Sequence, residues 1–247
     1  WKEYRIKSIK RYVDAMYSIL PFEVPYYKKH DYKVTYVGNP SVQEMDYALG
    51  HMPPLKHFLE RQGITDDRRI IALLPGSRKG EIRNNLPPML VKHSIAALVT
   101  SGTATLETAL LGTPQVVCYR SNGKRIAYQI MEKLLKVKYV SLPNLIVGNE
   151  VIPELLVHRC TVEGISRNLS PLLVSSPQRD WQIGGYRTMR RKLGTHSATG
   201  YAAELICRSL NLEITHDQAS NEENKKRRRR KLKNPNRNAT FFVYNII

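Results

Sequence analysis

The stretch "VTSGTATLETALLGTPQVVCYR", residues 99–120, predicts a strand, a tight turn, a helix, a second turn and another strand. Residues 95–99 and 115–119 are apolar runs typical of strands that are covered on both faces, and residues 103–111 lie between them with helical character. Strands that alternate with helices form a parallel sheet with helices on both of its faces. The pattern therefore indicates the α/β class.

The same pattern continues on both sides of this stretch. Upstream, "IIALLPGSRKGE" at residues 70–81 predicts a strand that Pro75 stops and a turn at Gly76. Periodicity predicts a short strand at 139–141 and a series of helices, which are 2–17, 54–62, 79–86, 125–136, 151–157, 162–174, 178–192 and 197–210.

The two turns that follow these strands are the candidate functional site, because ligands of open parallel sheets bind beyond the carboxyl ends of the strands. Ser77 and Arg78 lie where a helix begins, and a helix N-terminus with a guanidinium beside it suits phosphate oxygens. The second turn runs from Ser101 through Gly102, Thr103 and Ala104 to Thr105, and its small residues allow backbone amides to approach an anion.

Glu107, one helical turn further on, is placed to accept hydrogen bonds from sugar hydroxyls. The alternative, which the spacing leaves open, is that both turns are ordinary loops with helix caps.

The net charge, the cysteines and the absence of certain motifs limit the functions that the sequence predicts. The formal net charge is +18, and the run "KKRRRRKLKNPNR" at 225–237 holds nine of the basic residues, so anionic partners are expected. Three dispersed cysteines predict reduced thiols, and no metal-binding or P-loop motif is found. The acidic triplet "EMD" at 44–46 is a weak candidate for a metal–nucleotide contact, and the basic run would bind nucleic acid without sequence specificity.

Several segments in one order carry a resemblance to a known family: "ILPFE" (19–23), "YVGNP" (36–40), "LLPGSR" (73–78), the stretch 99–120 and "YVSLPNLI" with "PELL" (139–156). Together they resemble the lipid-A-disaccharide synthases, which are glycosyltransferases of the GT-B fold. The resemblance implies transfer of a sugar from UDP-2,3-diacylglucosamine to 2,3-diacylglucosamine 1-phosphate, with inversion and without a metal or other cofactor.

The resemblance also implies roles for particular residues. Arg78, the turn 101–105 and Glu107 would face the UDP-sugar, and Asn144 would be a polar group of the same site. Tyr119 and Glu154 would lie at the rim of the pocket, and Val157 stands where the family has a glutamine.

The domain organisation expected from this resemblance has three parts. Residues 1–50 would be a remnant of an N-terminal domain, 51–212 a Rossmann-like UDP-sugar-binding domain, and 213–247 a basic, disordered tail. The expected aspartate general base would lie in an N-terminal half that these residues do not include, and two strand–helix units between residues 90 and 91 would also be absent. The catalytic residue is therefore not assigned.

Expected partners are the two acylated sugars, an anionic inner-membrane surface on its cytoplasmic face, and a second copy of the chain; no specific nucleic acid is expected. The sequence leaves open another UDP-sugar enzyme of the GT-B fold, such as a peptidoglycan glycosyltransferase or an epimerase, and a non-catalytic remnant that only binds UDP.

Overall fold

The computed structural model describes residues 4–61, 69–74, 88–100, 102–119, 138–210 and 241–244. The described chain divides into two compact units. The described residues before Pro40 and after Thr195 form one unit, and the described residues from Pro40 to Thr195 form the other. The predicted helices at 79–86 and 125–136, and most of the basic tail, lie outside the described residues.

The Pro40–Thr195 unit contains a parallel four-stranded sheet in the order β3-β4-β5-β6. The strands are β3 (Ile71–Leu74), β4 (Ala96–Val99), β5 (Gln115–Tyr119) and β6 (Glu154–Leu156). In the register, Leu74 is opposite Val99, and Val117 is opposite both Val99 and Glu154. The strands predicted from apolar runs are thus confirmed, with β6 as an addition.

Helices cover both faces of this sheet. On one face, Val116 and Leu155 pack with Ile165 and Leu169 of one helix; on the other, the Gln115 side chain reaches Thr105 of another. Alternate residues of a strand point to opposite faces, so the predicted layered α/β architecture is confirmed. The described helices of this unit are α3 (Pro40–Gly50), α4 (Leu55–Arg61), α5 (Pro88–His93), α6 (Thr103–Leu110), α7 (Leu142–Val147), α8 (Val162–Leu169) and α9 (Pro177–Leu193).

The other unit has a smaller parallel sheet in the order β2-β1-β7. Its strands are β1 (Ala15–Ser18), β2 (Thr35–Tyr36) and β7 (Phe241–Tyr244), and its helices are α1 (Tyr4–Tyr12), α2 (Glu23–Lys28) and α10 (Ala198–Ser209). Tyr17 and Val37 pack against Ala202 of α10, so a helix near the C-terminus shares a core with the N-terminal strands.

Several predicted elements differ from the observed ones. The helix predicted at 2–17 ends at Tyr12, because Met16 belongs to β1 and its side chain joins the core beside Ile6. The helix predicted at 151–157 is wrong: Pro153 precedes β6, and a 3-10 turn follows at Val157–Arg159. No strand forms at 139–141, since the amides of Val140 and Ser141 donate to a carboxylate instead.

The unit boundaries differ from the predicted domain boundaries at two places. Residues 40–50 belong to the unit with the larger sheet rather than to the N-terminal one, and α10 belongs to the unit with the N-terminal strands. Within the tail predicted to be disordered, Phe241–Tyr244 form β7 beside β1, as expected for two phenylalanines, a valine and a tyrosine in a row.

Candidate functional site

The carboxyl ends of β3 and β4 lie side by side, which brings together the starts of the two turns predicted to bind a ligand. Leu74, the last residue of β3, is opposite Val99, the last residue of β4. The amide and the hydroxyl of Thr100 both donate to the Leu74 carbonyl, at 3.0 and 3.1 Å. The last described residue before the first turn, Leu74, therefore lies next to the start of the turn after β4. Ser77, Arg78 and Ser101 lie outside the described residues, so their placement stays a prediction.

Gly102 gives the second turn a backbone conformation that requires glycine. Its φ of +123° with ψ of −160° lies in a region that side chains exclude. A Cβ placed there would meet no atom of the described residues within 4 Å, so none of these residues fills the space at Gly102. No side chain caps α6, and the first amides of a helix have no partner within it. The turn thus presents the amides of Thr103 and Ala104, with Thr103 exposed and Ala104 half-buried.

Thr105 holds this turn together from the inside. Its side chain is fully buried, and its hydroxyl donates to the Gly102 carbonyl at 2.8 Å. The hydroxyl therefore stabilises the turn and is not available to a ligand, in contrast to the role expected from sequence.

A buried amide network fixes the position of α6 behind the turn. The Gln115 side chain donates to the Thr105 carbonyl at 2.9 Å. The backbone amide of Gln115 donates to Gln182 Oε1 at 3.0 Å, and Gln182 Nε2 donates to the Gln115 carbonyl at 3.1 Å. The Tyr186 hydroxyl, also buried, donates to Gln182 Oε1. Sequence reasoning missed this network, although a glutamine inside an apolar strand and polar residues four apart on α9 were signals for it.

Glu107 lies one turn into α6, where its carboxyl is half-buried. Burial raises its pKa, and the nearby Glu44 carboxylate of α3 raises it further. Asp46, the other acid of the "EMD" triplet, forms an ion pair with Arg190 of α9. Among the described residues, no group of three or more histidines, cysteines or acids is placed to share a metal ion.

Tyr119 ends β5 and lies half-buried on the same carboxyl edge as the turns. Its predicted position at the rim of a ligand pocket stays a prediction.

Asn144 is fully buried in α7, and both ends of its amide are used within the protein. Its Nδ2 donates to the Ile152 carbonyl at 2.9 Å and to Glu154 Oε1 at 2.8 Å. Its Oδ1 accepts from the amides of Val151 and Ile152 at 2.7 and 3.0 Å. Asn144 therefore ties α7 to the segment before β6, which is a structural role and not the ligand contact predicted for it.

Glu154 completes the same network. Its carboxylate accepts from the amides of Val140 and Ser141, both at 2.9 Å, and from the Ser141 hydroxyl at 2.6 Å. These are amides at the start of α7, so the charge also meets the positive end of that helix. Like the Asn144 amide, the Glu154 carboxylate is used in hydrogen bonds within the protein.

The arrangement as a whole defines a class of protein. A parallel sheet covered by helices, with a glycine turn and an uncapped helix at its carboxyl edge, is the Rossmann-like architecture found in GT-B proteins. Among the described residues, no helix is both long enough and apolar enough to cross a bilayer.

The chain belongs to the lipid-A-disaccharide synthetase family, whose model matches residues 1–95 and 89–204. The two matched segments overlap at residues 89–95, and the loss of an internal segment between residues 90 and 91 stays a prediction. The chain is 33% identical to the lipid-A-disaccharide synthase of Myxococcus xanthus, with 85% of this chain and 66% of that protein aligned. It is 29% identical to the Acidobacterium capsulatum synthase, over 82% of this chain and 64% of that protein. The chain thus spans just under two thirds of the length of these relatives.

Proposed function

We propose that the carboxyl edge of the larger sheet binds the UDP part of an acylated UDP-glucosamine, in a glycosyltransferase of lipid A biosynthesis. The full reaction would transfer the sugar of UDP-2,3-diacylglucosamine to 2,3-diacylglucosamine 1-phosphate, with inversion at the anomeric carbon and release of UDP. Family membership supports the class of reaction. The identity of the two acylated sugars rests on the resemblance alone.

The proposal rests on the pairing of Leu74 with Val99, because this pairing places the end of β3 beside the start of the turn that contains Gly102. Adjacent parallel strands put the starts of both turns at one edge, and no described residue lies within 4 Å of a Cβ built at Gly102, so a ligand would reach the backbone there. The amides of Thr103 and Ala104 would donate to diphosphate oxygens, assisted by the positive end of α6. Arg78 would neutralise the leaving UDP, and Ser77 and Ser101 would donate hydroxyl hydrogen bonds. The half-buried Glu107 would accept from a sugar or ribose hydroxyl.

Calorimetric titration with UDP tests this directly. Arg78→Ala removes a charge-assisted contact, which is worth about 1.5–3 kcal/mol, so UDP affinity should fall at least tenfold. The matched control is Arg187→Gln, because Arg187 is exposed on α9 and its loss changes the net charge equally. An equal loss of affinity in both variants would show that UDP binding depends only on the positive net charge and not on Arg78. Unchanged affinity in Arg78→Ala would contradict the proposal.

UDP binding is a sharper test of this chain than sugar transfer. No residue here is matched to the aspartate that the resemblance implies as general base, so we propose that the chain transfers sugar slowly or not at all. An assay with both acylated substrates measures this. Turnover at the rate of a full-length relative would contradict the proposal.

We also propose that α1 contacts an anionic membrane surface. Its Tyr4 and Tyr12 side chains are 65% and 63% exposed, and Lys7, Lys10 and Arg11 lie between and beside them. Aromatic and basic side chains on one short helix suit the headgroup region. Lys7→Glu with Lys10→Glu should abolish co-sedimentation with anionic vesicles at low salt while leaving UDP affinity unchanged.

A further inference from the structure

A second cavity lies at the opposite edge of the larger sheet from the candidate nucleotide site. It has a volume of about 440 Å³, and Arg69, Arg179, Ser175 and Asp180 line it together with the apolar Ile95 and Val174. Arg69 precedes β3 and Ile95 precedes β4, so the cavity is at the amino ends of these strands. We call it the arginine cleft.

Both guanidinium groups of the cleft are held in place by backbone carbonyls. Arg69 Nη1 donates to the Leu173 carbonyl at 2.8 Å. Arg179 Nη1 donates to the carbonyls of Ile95 and Leu172, each at 2.7 Å. An arginine has five N–H donors, and no described residue accepts a hydrogen bond from Nη2 or Nε of either side chain, so these groups can bind a ligand. Within the described part of the chain, neither arginine forms an ion pair.

The charge balance of the cleft favours an anion. The charged side chains among the described lining residues are two arginines and one carboxylate, Asp180, which forms an ion pair with neither arginine. The cleft also lies at the N-terminus of α9, a helix of 17 residues that Ser176 caps. The positive end of this helix adds to the field of the two guanidinium groups.

We propose that the arginine cleft binds the phosphate group of an organic phosphate, separately from the UDP site. Two fixed guanidinium forks suit the oxygens of a phosphate and can bind it bidentately. The cavity is larger than a bare phosphate ion requires, and the exposed Val174 and the Ile95 side chain form an apolar wall beside the arginines. A phosphate monoester with an apolar or sugar part therefore fits the cleft better than a free ion does. Soluble esters and lipid headgroups both carry such a group.

The first experiment titrates the full chain with inorganic phosphate at about 0.15 M salt, where long-range attraction is largely screened. Saturating UDP occupies the candidate nucleotide site throughout. The readout is the Nε–Hε resonances of arginine side chains in ¹H–¹⁵N spectra, with Arg69→Gln used to assign one of them. We expect the Arg69 and Arg179 resonances to shift together along one binding curve.

Ser175→Asp is the decisive variant, because it adds a negative charge to the cleft and leaves both arginine anchors intact. Phosphate affinity should fall at least tenfold, while Arg187→Gln, on the outside of the same helix, should leave it unchanged. Equal affinity in Ser175→Asp and the native chain would overturn the proposal. So would an equal loss in the Arg187→Gln control, because binding would then follow net charge alone.

A second arm separates the two sources of phosphate. Co-sedimentation with vesicles that contain phosphatidic acid is measured in the Lys7→Glu, Lys10→Glu background, so that α1 does not hold the protein on the vesicles, for this background alone and with Ser175→Asp or Arg187→Gln added. A loss confined to Ser175→Asp assigns the cleft to a lipid headgroup, whereas phosphate binding without this loss assigns it to a soluble ester. Arg78→Ala should leave phosphate binding at the cleft unchanged, so failure of the UDP proposal and failure of this one are distinguished.

Discussion

Asn144→Asp should destabilise the larger unit without acting on the ligand directly. The substitution keeps the shape of the side chain and the Oδ1 acceptor for the amides of Val151 and Ile152. It removes the two Nδ2 donors and places a second carboxyl group against Glu154, where the donor lay 2.8 Å from Oε1. The side chain is fully buried, so water cannot replace what is lost.

The magnitude follows from the two bonds. A hydrogen bond to a carboxylate contributes about 1.5–3 kcal/mol and one to a carbonyl about 0.5–1.5 kcal/mol. Repulsion between the two carboxylates adds to this, so we expect a loss of about 3–5 kcal/mol in the free energy of unfolding at neutral pH. In the folded variant, burial and Glu154 raise the pKa of the introduced carboxyl above its unfolded value of about 3.9. The deficit is therefore largest above this raised pKa and shrinks as the pH falls through it.

Urea unfolding followed by circular dichroism, from pH 5 to pH 8, measures both the deficit and its pH dependence. The control is Asn168→Asp, because Asn168 is half-buried and makes one bond, from Nδ2 to the Gly164 carbonyl at 2.9 Å. Asn168→Asp should lower the free energy of unfolding by about 1 kcal/mol, and this loss should hardly change with pH over this range. If Asn144→Asp is as stable as the native chain but loses UDP affinity tenfold, Asn144 contacts the ligand and our assignment of a structural role is refuted.

Three further substitutions and one labelling experiment test other parts of the structure. The methyl group of Gly102→Ala meets no described atom, but alanine is strained at φ near +123° by about 1–3 kcal/mol. The backbone of the turn should therefore shift and UDP affinity in calorimetry should fall. Unchanged affinity would contradict UDP binding at this turn. Gly185→Ala places a Cβ in steric overlap with Val151 Cγ1 and should lower the free energy of unfolding in urea by about 1–3 kcal/mol. Val157 has φ of +41°, so Val157→Asn should gain about 1 kcal/mol in the same assay. Burial raises the pKa of Cys118 to about 12, so iodoacetamide at pH 8 should alkylate it far more slowly than an exposed thiol, as mass spectrometry of the folded protein can show.

The parts of the fold that could be predicted are those set by local composition. The apolar runs of β4 and β5 are typical of strands inside a parallel sheet, as observed, whereas β3 has an equally apolar run but lies at the edge of the sheet with Leu73 59% exposed. Helix α9 is indicated by a serine cap followed by proline, and α10 by a serine cap. Helix α3 was missed because Asn39-Pro40 suggests a break, although proline is well suited to the first position of a helix. Strand β6 was missed because three residues carry no periodicity, and its pairing with β5 is a tertiary effect.

The candidate site shows a different limit, because sequence reveals which residues are polar but not where their hydrogen bonds go. Thr105 was predicted to donate to a ligand, yet burial turns its hydroxyl toward Gly102, and the contact that fixes α6 comes from Gln115 on a neighbouring strand. Asn144 and Glu154 were likewise expected at the pocket, yet they bond each other.

These internal bonds change how the turn would recognise a ligand. Since the Thr105 hydroxyl is used by the fold, the described donors of the turn are the backbone amides at the start of α6 and the exposed hydroxyl of Thr103. A side chain can be replaced without moving an amide, whereas the direction of these amides depends on the backbone at Gly102. Thr103→Ala should therefore lower UDP affinity less than Gly102→Ala does. The reverse order would mean that hydroxyl groups, and not the backbone, hold the diphosphate.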